Sequence, residues 1–217
     1  MAKSKSFAVF GMGRFGKKLA LSLYDAGLDV MVVDKNPDLI EELSDCVTYA
    51  IEADVSKADA LKGIGLEDID VVVVAMGTDL TSSIMSVMVS KELGVPYVLA
   101  KASDERMGAI LTKVGADKVI FPEEESGLRN ARILMSDSFL EFFNIDDTLC
   151  LLEMKPLKDW IGKNLKELNL RQKYRANVVA IKVGNKTKAY VDPEVPLAED
   201  NLLLVIVDKA DLKRLRD

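Results

Sequence analysis

Histidine is absent from this 217-residue sequence, and cysteine occurs only twice. Histidine is the commonest general base, the usual partner of a nucleophilic serine or cysteine, and a frequent zinc ligand. Its absence excludes Ser/His and Cys/His nucleophile pairs and most zinc sites. Cys46 and Cys150 are too few for a disulfide framework and lack the spacing of metal ligands, so we expect both to be buried as small apolar residues.

Long apolar runs are also missing. No run reaches the ~18 residues that span a bilayer, and residues 1–6 lack the apolar core of a signal peptide. We therefore expect a cytoplasmic protein with no membrane insertion of its own. Residues 1–143 hold 15 Lys and Arg against 23 Asp and Glu, whereas residues 144–217 hold 14 against 12. An acidic chain without a stripe of basic and aromatic residues does not favour nucleic-acid binding.

A glycine-rich motif, Gly11-Met-Gly-Arg-Phe-Gly16, lies between an apolar run and an amphipathic segment. In such a motif the first glycine permits a tight turn, the second admits a pyrophosphate, and the third lets a helix pack close to its strand. Free N–H groups at that helix N-terminus favour an anion. The alternative is an ordinary tight turn beside a capping aspartate. Asp34, which ends the next apolar run, favours a nucleotide, because a carboxylate at this distance commonly holds ribose hydroxyls.

Strands and helices are predicted to alternate over residues 7–121. Apolar runs predict strands at 7–10, 30–33, 47–51, 70–77, 97–100 and 118–121. Capping residues and glycine stops predict helices from 17 onward and at 37–44, 56–61, 81–93 and 104–114, with Ser56 as a cap. The predicted fold class is α/β, a Rossmann-like doubly wound parallel sheet whose ligand crevice lies at the carboxyl ends of its strands.

The remaining sequence breaks this alternation. Residues 126–143 are predicted to form a helix that is apolar on more than one side, so a partner subunit or second domain should cover it; burial within the chain is the alternative. Later apolar runs predict a short helix at 160–165 and strands at 148–154, 178–183, 188–191 and 202–207. We thus predict two domains: 1–143, a nucleotide-binding domain including a crossover helix, and 144–217, a small α+β module.

The motifs resemble a known family. Similarity to its RCK N-terminal (TrkA-N) nucleotide domain lies in residues 11–16, Asp34, Asp54, residues 100–102 and residues 115–123. Residues 168–181 resemble the RCK C-terminal (TrkA-C) module of the same proteins. These are the cytosolic regulatory subunits of Trk- and Ktr-type potassium uptake systems. The resemblance covers nearly the whole chain and is closest to the Ktr gating-ring protein.

The resemblance implies a site for ATP or ADP, with NAD or NADH as the alternative. In the family the arginine that matches Arg14 contacts phosphate, Asp34 is expected to hold ribose hydroxyls, and Ala53-Asp54 to face adenine. The implied nucleotide-binding residues are Gly11, Gly13, Arg14, Phe15, Gly16, Asp34, Ala53, Asp54, Met76, Gly77 and Lys101. A solvated loop charge is the alternative for Arg14, and a plain surface lysine for Lys101.

Two further ligands are implied by the resemblance. Glu123 matches a glutamate that helps to hold a divalent cation, Mg²⁺ or Ca²⁺, at a dimer contact; the alternative is a carboxylate that favours a helix N-terminus. The C-terminal module matches a dimer cleft that binds cyclic di-AMP. Its matching positions are Ile161, Arg171, Ala176, Asn177 and Val178. Simple core packing is the alternative, and Arg175, where relatives commonly carry glycine, would either add a phosphate contact or crowd the cleft.

The implied function is a non-enzymatic, nucleotide-sensing subunit that gates a membrane potassium-translocating subunit. Such proteins form dimers that assemble into an octameric ring. The alternatives are a small NAD(H)-dependent oxidoreductase and an NAD(H)-sensing regulator. The oxidoreductase is disfavoured because the chain has no histidine base and no Tyr-x-x-x-Lys pair after the fourth strand.

Overall fold

The computed structural model describes residues 4–215, so the outermost residues of the two predicted domains, 1–3 and 216–217, lie outside the described residues. The chain divides into two compact units, one ending at Glu123 and the other beginning at Glu124. The predicted boundary at 143/144 therefore falls inside the second unit. Within residues 4–215, no helix is both long and apolar enough to cross a bilayer.

The first unit is an alternation of strands and helices that closely follows the prediction. Its elements are β1 (Ser6–Phe10), α1 (Arg14–Asp25), β2 (Asp29–Asp34), α2 (Pro37–Leu43), β3 (Tyr49–Glu52), α3 (Ala58–Lys62), a 3₁₀ turn (Leu66–Asp68), β4 (Val71–Val74), α4 (Leu80–Glu92), β5 (Tyr97–Lys101), α5 (Glu105–Lys113) and β6 (Lys118–Ile120). The strands pair in parallel in the order β3-β2-β1-β4-β5-β6. This order confirms the Rossmann-like fold and places its switch point between β1 and β4.

Side chains alternate between the two faces of this sheet and build two cores. Val72 and Val74 of β4 pack with buried residues of α3, α4 and α5, whereas Val73 packs with residues of α1 and α2. A strand with apolar residues on both faces is expected for a parallel sheet covered on both sides. The continuous valine run of β4 has this pattern.

Two local predictions in this unit are wrong. Helix α3 begins at Ala58 and has no side-chain cap, because the Ser56 hydroxyl instead donates to Asp54 Oδ1 at 2.7 Å. Cys46 is exposed, since it lies in the turn after α2, where Leu43 fills the core position. Cys150 is buried as predicted, and this burial raises the pKa of its thiol to about 11.

The second unit is an antiparallel sheet with short helices. Its elements are α6 (Pro122–Ile133), which begins at the end of the first unit, then β7 (Phe139–Asn144), β8 (Leu149–Met154), a 3₁₀ turn (Lys158–Trp160), α7 (Leu165–Leu168), α8 (Leu170–Lys173), β9 (Ala176–Val183), β10 (Lys186–Lys188), β11 (Asn201–Asp208) and a 3₁₀ segment (Lys209–Leu215). The strand order is β10-β9-β11-β8-β7. This confirms the predicted α+β module. The short helix expected at 160–165 is wrong, because Asn164 forms a capping box with Glu167 and so starts α7 afterwards.

The helix predicted at 126–143 is also wrong in its second half. Helix α6 ends at Ile133, and Phe139–Asn144 form β7, which pairs with β8. The spacing of Phe139 and Phe142 suggested a helix, yet both are buried because a β-bulge shifts the register between Phe139 and Glu141. A bulge places one extra residue in the strand, so residues three apart face the same side.

Candidate functional site

A cavity of about 350 Å³ lies at the carboxyl ends of the parallel strands, where the fold is expected to bind ligands. It is lined by Gly11, Gly13, Val33, Asp34, Lys35, Ala53, Val55, Ala75, Met76, Gly77, Thr78, Asp79, Ser82 and Lys101. The ends of five neighbouring strands contribute to it. The structure thus brings together most of the nucleotide-binding residues that the resemblance implied.

The three motif glycines have distinct geometries. Gly11 has φ +89°, and a Cβ there would lie 2.6 Å from Met76 Cγ. A Cβ on Gly16 would lie 2.0 Å from the Gly11 carbonyl oxygen, so this glycine permits the close packing of α1 on its strand. A Cβ on Gly13 would meet nothing within 4 Å. Gly13 is therefore not required by packing, and the space in front of it is open to a ligand.

Helix α1 presents its N-terminus to this space. It begins at Arg14, has no side-chain cap and has no acidic residue in its first turn. The first amide groups of a helix have no partner within the helix, so they can donate to an anion. The Arg14 side chain is exposed and is not among the cavity-lining residues, and Phe15 is half-buried beside the cavity.

Asp34 is held in place by the backbone around it. One carboxylate oxygen accepts from the Met12 amide at 2.6 Å, and the other accepts from the Asn36 amide at 2.9 Å. An ionised carboxylate has about four acceptor positions. These two hydrogen bonds leave about two acceptor positions on the Asp34 carboxylate, and its role at a ribose stays a prediction.

The predicted adenine position is only partly in the cavity. Ala53 and Val55 line it, whereas the Asp54 side chain turns back on its own loop and accepts from the Ser56 hydroxyl and amide. These two hydrogen bonds lower the pKa of Asp54. Asp54 therefore helps to shape the loop that follows β3 at the edge of the cavity.

Sequence reasoning missed two charged residues that line the cavity, Lys35 and Asp79. Asp79 caps α4 and accepts from the Ser82 amide at 3.0 Å and from the Ser82 hydroxyl at 2.7 Å, which lowers the pKa of Asp79. An aspartate three residues before a serine, in the loop that follows a strand, is a recognisable helix start. That signal would have placed Asp79 at the cavity, because helix starts follow the carboxyl ends of parallel strands.

Lys101 lies at the opposite end of the cavity from Asp34. It ends β5, its side chain is 14% exposed, and its ammonium group lies 2.5 Å from a Glu123 carboxylate oxygen. The same ammonium group lies 5.8 Å from the centroid of the Phe15 ring. The hydrogen bond from Lys101 is the main reason that the pKa of Glu123 is lowered. Lys101 is therefore a cavity residue and not a plain surface lysine.

Glu123 does not form a cation site in a single chain. Within residues 4–215 no cluster of three or more acidic or cysteine side chains is arranged to hold a metal ion. The Glu123 carboxylate is 71% exposed and already paired with Lys101. A lone carboxylate held by a lysine is not the oxygen-rich donor set that Mg²⁺ or Ca²⁺ requires.

The second unit has its own cavity, of about 370 Å³. Its lining is formed by Leu165, Lys166, Asn169, Leu170, Arg171, Ala176, Asn177, Val178, Val191 and Pro193. Arg171 Nε donates to Asn177 Oδ1 at 2.9 Å, which holds two predicted ligand residues together. Ile161 is 40% exposed and does not line the cavity.

Arg175 neither lines nor fills the cavity in the second unit. Its φ is +53°, a left-handed conformation that glycine adopts without strain, which explains why glycine suits this position. Its guanidinium lies 3.7 Å from an Asp211 carboxylate oxygen. Its ion-pair partner, Asp211, is likewise absent from the lining of this cavity.

Comparisons with known proteins agree with both units. The TrkA-N domain family matches residues 7–122, and the TrkA-C domain family matches residues 152–217. The Ktr system potassium uptake protein C of Bacillus subtilis is 31% identical over 97% of this chain and 95% of its own length. The Ktr system potassium uptake protein A of Vibrio alginolyticus is 34% identical over 93% of this chain and 92% of its own length.

A solved structure of the GsuK channel bound to NAD has the same fold. It aligns with a TM-score of 0.67 and 17% identity over 99% of this chain, which spans only 39% of the channel chain. The two family matches together cover most of the sequence, and the two potassium uptake proteins match it almost end to end. The chain therefore belongs to the family that joins a TrkA-N domain to a TrkA-C domain and includes the Ktr potassium uptake proteins.

Proposed function

We propose that this chain is a cytoplasmic regulatory subunit that binds ATP or ADP in the first unit and gates a membrane potassium-translocating partner. The observation that carries the proposal is the cavity with Asp34 at one end, Lys101 at the other and the open glycine turn between them. Asp34 suits a ribose, the α1 N-terminus suits a pyrophosphate, and Lys101 suits a further anionic group. The kinship with Ktr potassium uptake proteins supports the potassium-transport role.

The order of strand ends favours ATP and ADP over NAD. Neighbouring strands are about 4.8 Å apart, so β5 lies roughly 10 Å from β1, on the side away from β2. In a dinucleotide the nicotinamide riboside would occupy that side. Here Lys101 and Glu123 place an ion pair there, beside Phe15. A terminal phosphate would give the Lys101 ammonium an anion in addition to the exposed Glu123 carboxylate, whereas an uncharged sugar would add none.

Gating follows from a difference in affinity. A ligand shifts a conformational equilibrium only when it binds one state more tightly than the other. ATP and ADP differ by one phosphate, so only groups beyond the pyrophosphate position can discriminate between them. Lys101 lines the cavity at that position. Arg14 stays a predicted phosphate ligand, because its exposed side chain starts the helix that faces the cavity.

Calorimetry on nucleotide-free protein tests this assignment. We expect ATP and ADP to bind and to compete, and we expect Asp34→Ala to weaken both by about tenfold, since a hydrogen bond to a charged group contributes roughly 1.5 kcal/mol or more. Asp38→Ala, an exposed carboxylate on α2, is the matched control. Tight NADH binding without binding of adenine nucleotides would contradict the proposal and would favour the NAD(H)-sensing alternative, for which the fold of the NAD-bound GsuK channel is a precedent.

Self-assembly into dimers and an octameric ring is part of the proposal. Helix α4 carries an apolar stripe with spacing of four residues, in which Leu80 is 37% and Met88 is 39% exposed, with Ile84 between them. Helix α6 has no buried residue, and Leu128 on it is 51% exposed. Contiguous exposed apolar residues on a helix are typical of interaction surfaces.

Light scattering tests this assembly and should report an oligomer for the wild-type protein. Met88→Asp should disrupt the oligomer, and Glu92→Gln should leave it intact. A monomeric wild type would contradict the proposed assembly.

A divalent cation at Glu123 stays a prediction that depends on assembly. One chain offers a single carboxylate at this position. A second copy and the nucleotide phosphates would have to supply the other oxygen ligands. Calorimetry with Mg²⁺ in the presence and absence of ATP tests this, and cation binding without ATP would contradict it.

The cavity of the second unit is the proposed site of cyclic di-AMP. Arg171 suits a phosphate, Asn177 suits a base or phosphate, and the apolar lining suits stacked bases. At a two-fold axis each group is presented twice, which matches a two-fold symmetric, doubly anionic ligand. Trp160, the only tryptophan, is fully buried against Tyr174 in this unit and so provides a fluorescence signal.

Binding of cyclic di-AMP should be lost in Arg171→Ala and retained in Arg175→Ala, because Arg175 lies outside the cavity. Asp34→Ala should not affect it, since Asp34 belongs to the other cavity. Displacement of labelled cyclic di-AMP by excess ATP, through competition for one site, would contradict a separate site.

A further inference from the structure

We infer that a groove at the amino ends of β1, β2 and β3 binds a basic cytoplasmic segment of the membrane partner. This groove, the amino-edge groove, has a volume of about 480 Å³ and is also lined by the turn after α3. The inference rests on the proposed function, because that function supplies the membrane partner. It assigns to the partner a surface distinct from the nucleotide cavity.

The groove exists because the helix that covers this part of the sheet is short. Helix α3 has five residues and spans only about 7.5 Å, whereas α4, on the same face of the sheet, has 13 residues. Tyr49 and Ile51 lie two residues apart on β3 and so face the same side. Tyr49 is 63% exposed and β3 is an edge strand. A large aromatic side chain therefore lies on an uncovered part of the sheet.

The floor of the amino-edge groove is apolar. Met31, which pairs with Tyr49 in the sheet register, is buried there together with Ile69. Ile51 and Ile64 are half-buried beside them. An exposed tyrosine next to a partly open apolar floor is typical of a protein-binding surface. Tyr49 is the expected anchor for a partner.

The rim of the groove carries charge of one sign. Asp29 starts β2 and Asp68 lies in the 3₁₀ turn; both line the groove and both are exposed. None of the described residues that line it is basic. Within residues 4–215 neither carboxylate takes part in an ion pair. The groove therefore offers two carboxylates and an aromatic ring to a cation.

This charge narrows the choice of occupant. A second copy docked through the same groove would bring Asp29 and Asp68 of the two copies together, and like charges repel. Anionic lipid headgroups and nucleic-acid phosphates would be repelled for the same reason. A segment that carries positive charge is attracted.

The membrane partner is a source of such a segment. Cytoplasmic loops of membrane proteins carry an excess of lysine and arginine. Arginine suits the groove best, because its guanidinium plane stacks on an aromatic ring while its N–H groups donate to a carboxylate. An apolar side chain next to the arginine would cover Ile51 and Ile64. The occupant is therefore a segment in which basic and apolar residues are neighbours.

Strand β2 keeps the groove apart from the nucleotide cavity. It runs from Asp29 in the groove to Asp34 in the cavity. Five residue steps along a strand cover about 17 Å. The partner segment and a nucleotide therefore bind at the same time, and neither displaces the other.

Fluorescence anisotropy with the full chain and the labelled peptide Arg-Leu-Arg-Leu-Arg-Leu tests the groove. Tyr49→Ala should weaken binding of this peptide by about fivefold, because a cation–π contact is lost. Asp29→Asn should weaken it by about two- to fivefold, the range for an exposed ion pair. The matched controls are Tyr190→Ala, an exposed tyrosine of the second unit, and Asp38→Asn, an exposed carboxylate of α2. Both controls should bind the peptide like wild type.

A charge reversal and the membrane protein itself extend the test. Asp29→Lys should lose affinity for the arginine peptide and gain affinity for Glu-Leu-Glu-Leu-Glu-Leu. Vesicles of equal parts phosphatidylserine and phosphatidylcholine should not bind to the wild type. A co-expressed, tagged membrane subunit of a Ktr potassium uptake system should co-purify with wild type and Tyr190→Ala, and less with Tyr49→Ala.

Four results would overturn the inference. They are equal binding of the two peptides by wild type, equal losses in the groove variants and their controls, binding of the vesicles, and undiminished co-purification with Tyr49→Ala. Calorimetry with ATP on the same preparations shows that the variants are folded, since Tyr49 and Asp29 lie outside the nucleotide cavity. Wild type that binds ATP but not the arginine peptide refutes this inference alone, whereas wild type that binds no adenine nucleotide refutes the proposed function.

Discussion

Replacing a motif glycine by alanine adds one methyl group, and we expect its effect to differ between two positions. Gly13→Ala should impair nucleotide binding, whereas Gly16→Ala should impair folding stability. Gly13→Ala adds a Cβ that meets no atom within 4 Å, at a residue with an ordinary φ of −65°. Gly16→Ala adds a Cβ only 2.0 Å from the Gly11 carbonyl oxygen and 3.0 Å from Ala75 Cβ. The same chemical change therefore enters open space at one position and a packed backbone at the other.

The effect on stability follows from these distances. At Gly13, an N-cap position, alanine is a poorer cap than glycine by up to about 1 kcal/mol, and the lower entropy of the unfolded chain returns about 0.4–1 kcal/mol, so the net change is near zero. At Gly16 the Cβ must move by more than ~1 Å to reach the ~3.3 Å of a normal C···O contact. Forced repacking of this kind costs about 1–3 kcal/mol, and alanine's better helix propensity recovers at most about 1 kcal/mol. We expect Gly16→Ala to lower the free energy of unfolding by about 1–2 kcal/mol.

For nucleotide binding we expect Gly13→Ala, and not Gly16→Ala, to have the direct effect. A methyl group on Gly13 occupies the space in front of the α1 N-terminus, where the pyrophosphate is proposed to lie. We expect Gly13→Ala to weaken ATP and ADP by at least about tenfold, or ~1.4 kcal/mol, while its melting temperature stays within ~2 °C of wild type. Thermal unfolding by circular dichroism and calorimetric titration measure the two effects. A Gly13→Ala variant that binds normally would refute pyrophosphate placement at this turn, and an unchanged stability of Gly16→Ala would refute the packing.

Three further predictions concern other parts of the chain. Arg175→Gly should relieve about 1 kcal/mol of left-handed strain. It also loses a long ion pair with the buried Asp211, which keeps Arg214 as a partner at 2.7 Å, so this loss should cost less than the strain relieved. Urea unfolding should therefore show Arg175→Gly to be no less stable than wild type and Arg175→Ala to be less stable. The pKa of Asp79 is lowered in the folded protein, so the stability that its carboxylate contributes is fully present above its unfolded pKa of about 4. This stability is lost as pH falls through the lower pKa of the folded state. The difference in melting temperature between wild type and Asp79→Asn should therefore become smaller from pH 7 to pH 3. Treatment with a maleimide at about pH 7.5 should label the exposed Cys46 but not the buried Cys150, whose pKa is raised by burial. Equal labelling of the two cysteines would contradict the burial of Cys150.

The fold of the first unit was predictable because its signals are local. The residues from Gly11 to Gly16 follow one strand and start one helix, and the helix cap at Asn36 with Pro37 is equally short-range. Parallel strands joined by short crossovers have few allowed arrangements, so the alternation predicted a doubly wound sheet, whereas the structure supplied the order of its strands. The carboxyl ends of the strands then meet at one edge, which brings Asp34 and Lys101 to one cavity although 67 positions separate them in sequence numbering.

Other features were beyond local reasoning. The bulge in β7 gives Phe139 and Phe142 the spacing of a helix, and only pairing with β8 distinguishes a bulged strand from a helical turn. The left-handed conformation of Arg175 depends on how α8 joins β9, and arginine itself does not signal it. Cys46 was expected to be buried by residue type alone, but a turn residue is exposed whatever its hydrophobicity.

The amino-acid sequence by itself determined the alternation of strands and helices, the glycine turn before α1 and the carboxylate of Asp34, because each depends on backbone preferences or on residues close in the chain. Only the tertiary structure decided which charges share the cavity: it brought in Lys35 and Asp79, left the Arg14 side chain outside and paired Lys101 with Glu123. The physical reason is that an ion pair or a cavity wall depends on distances of a few ångströms between chain segments that are far apart in sequence, and these distances exist only after the sheet has formed.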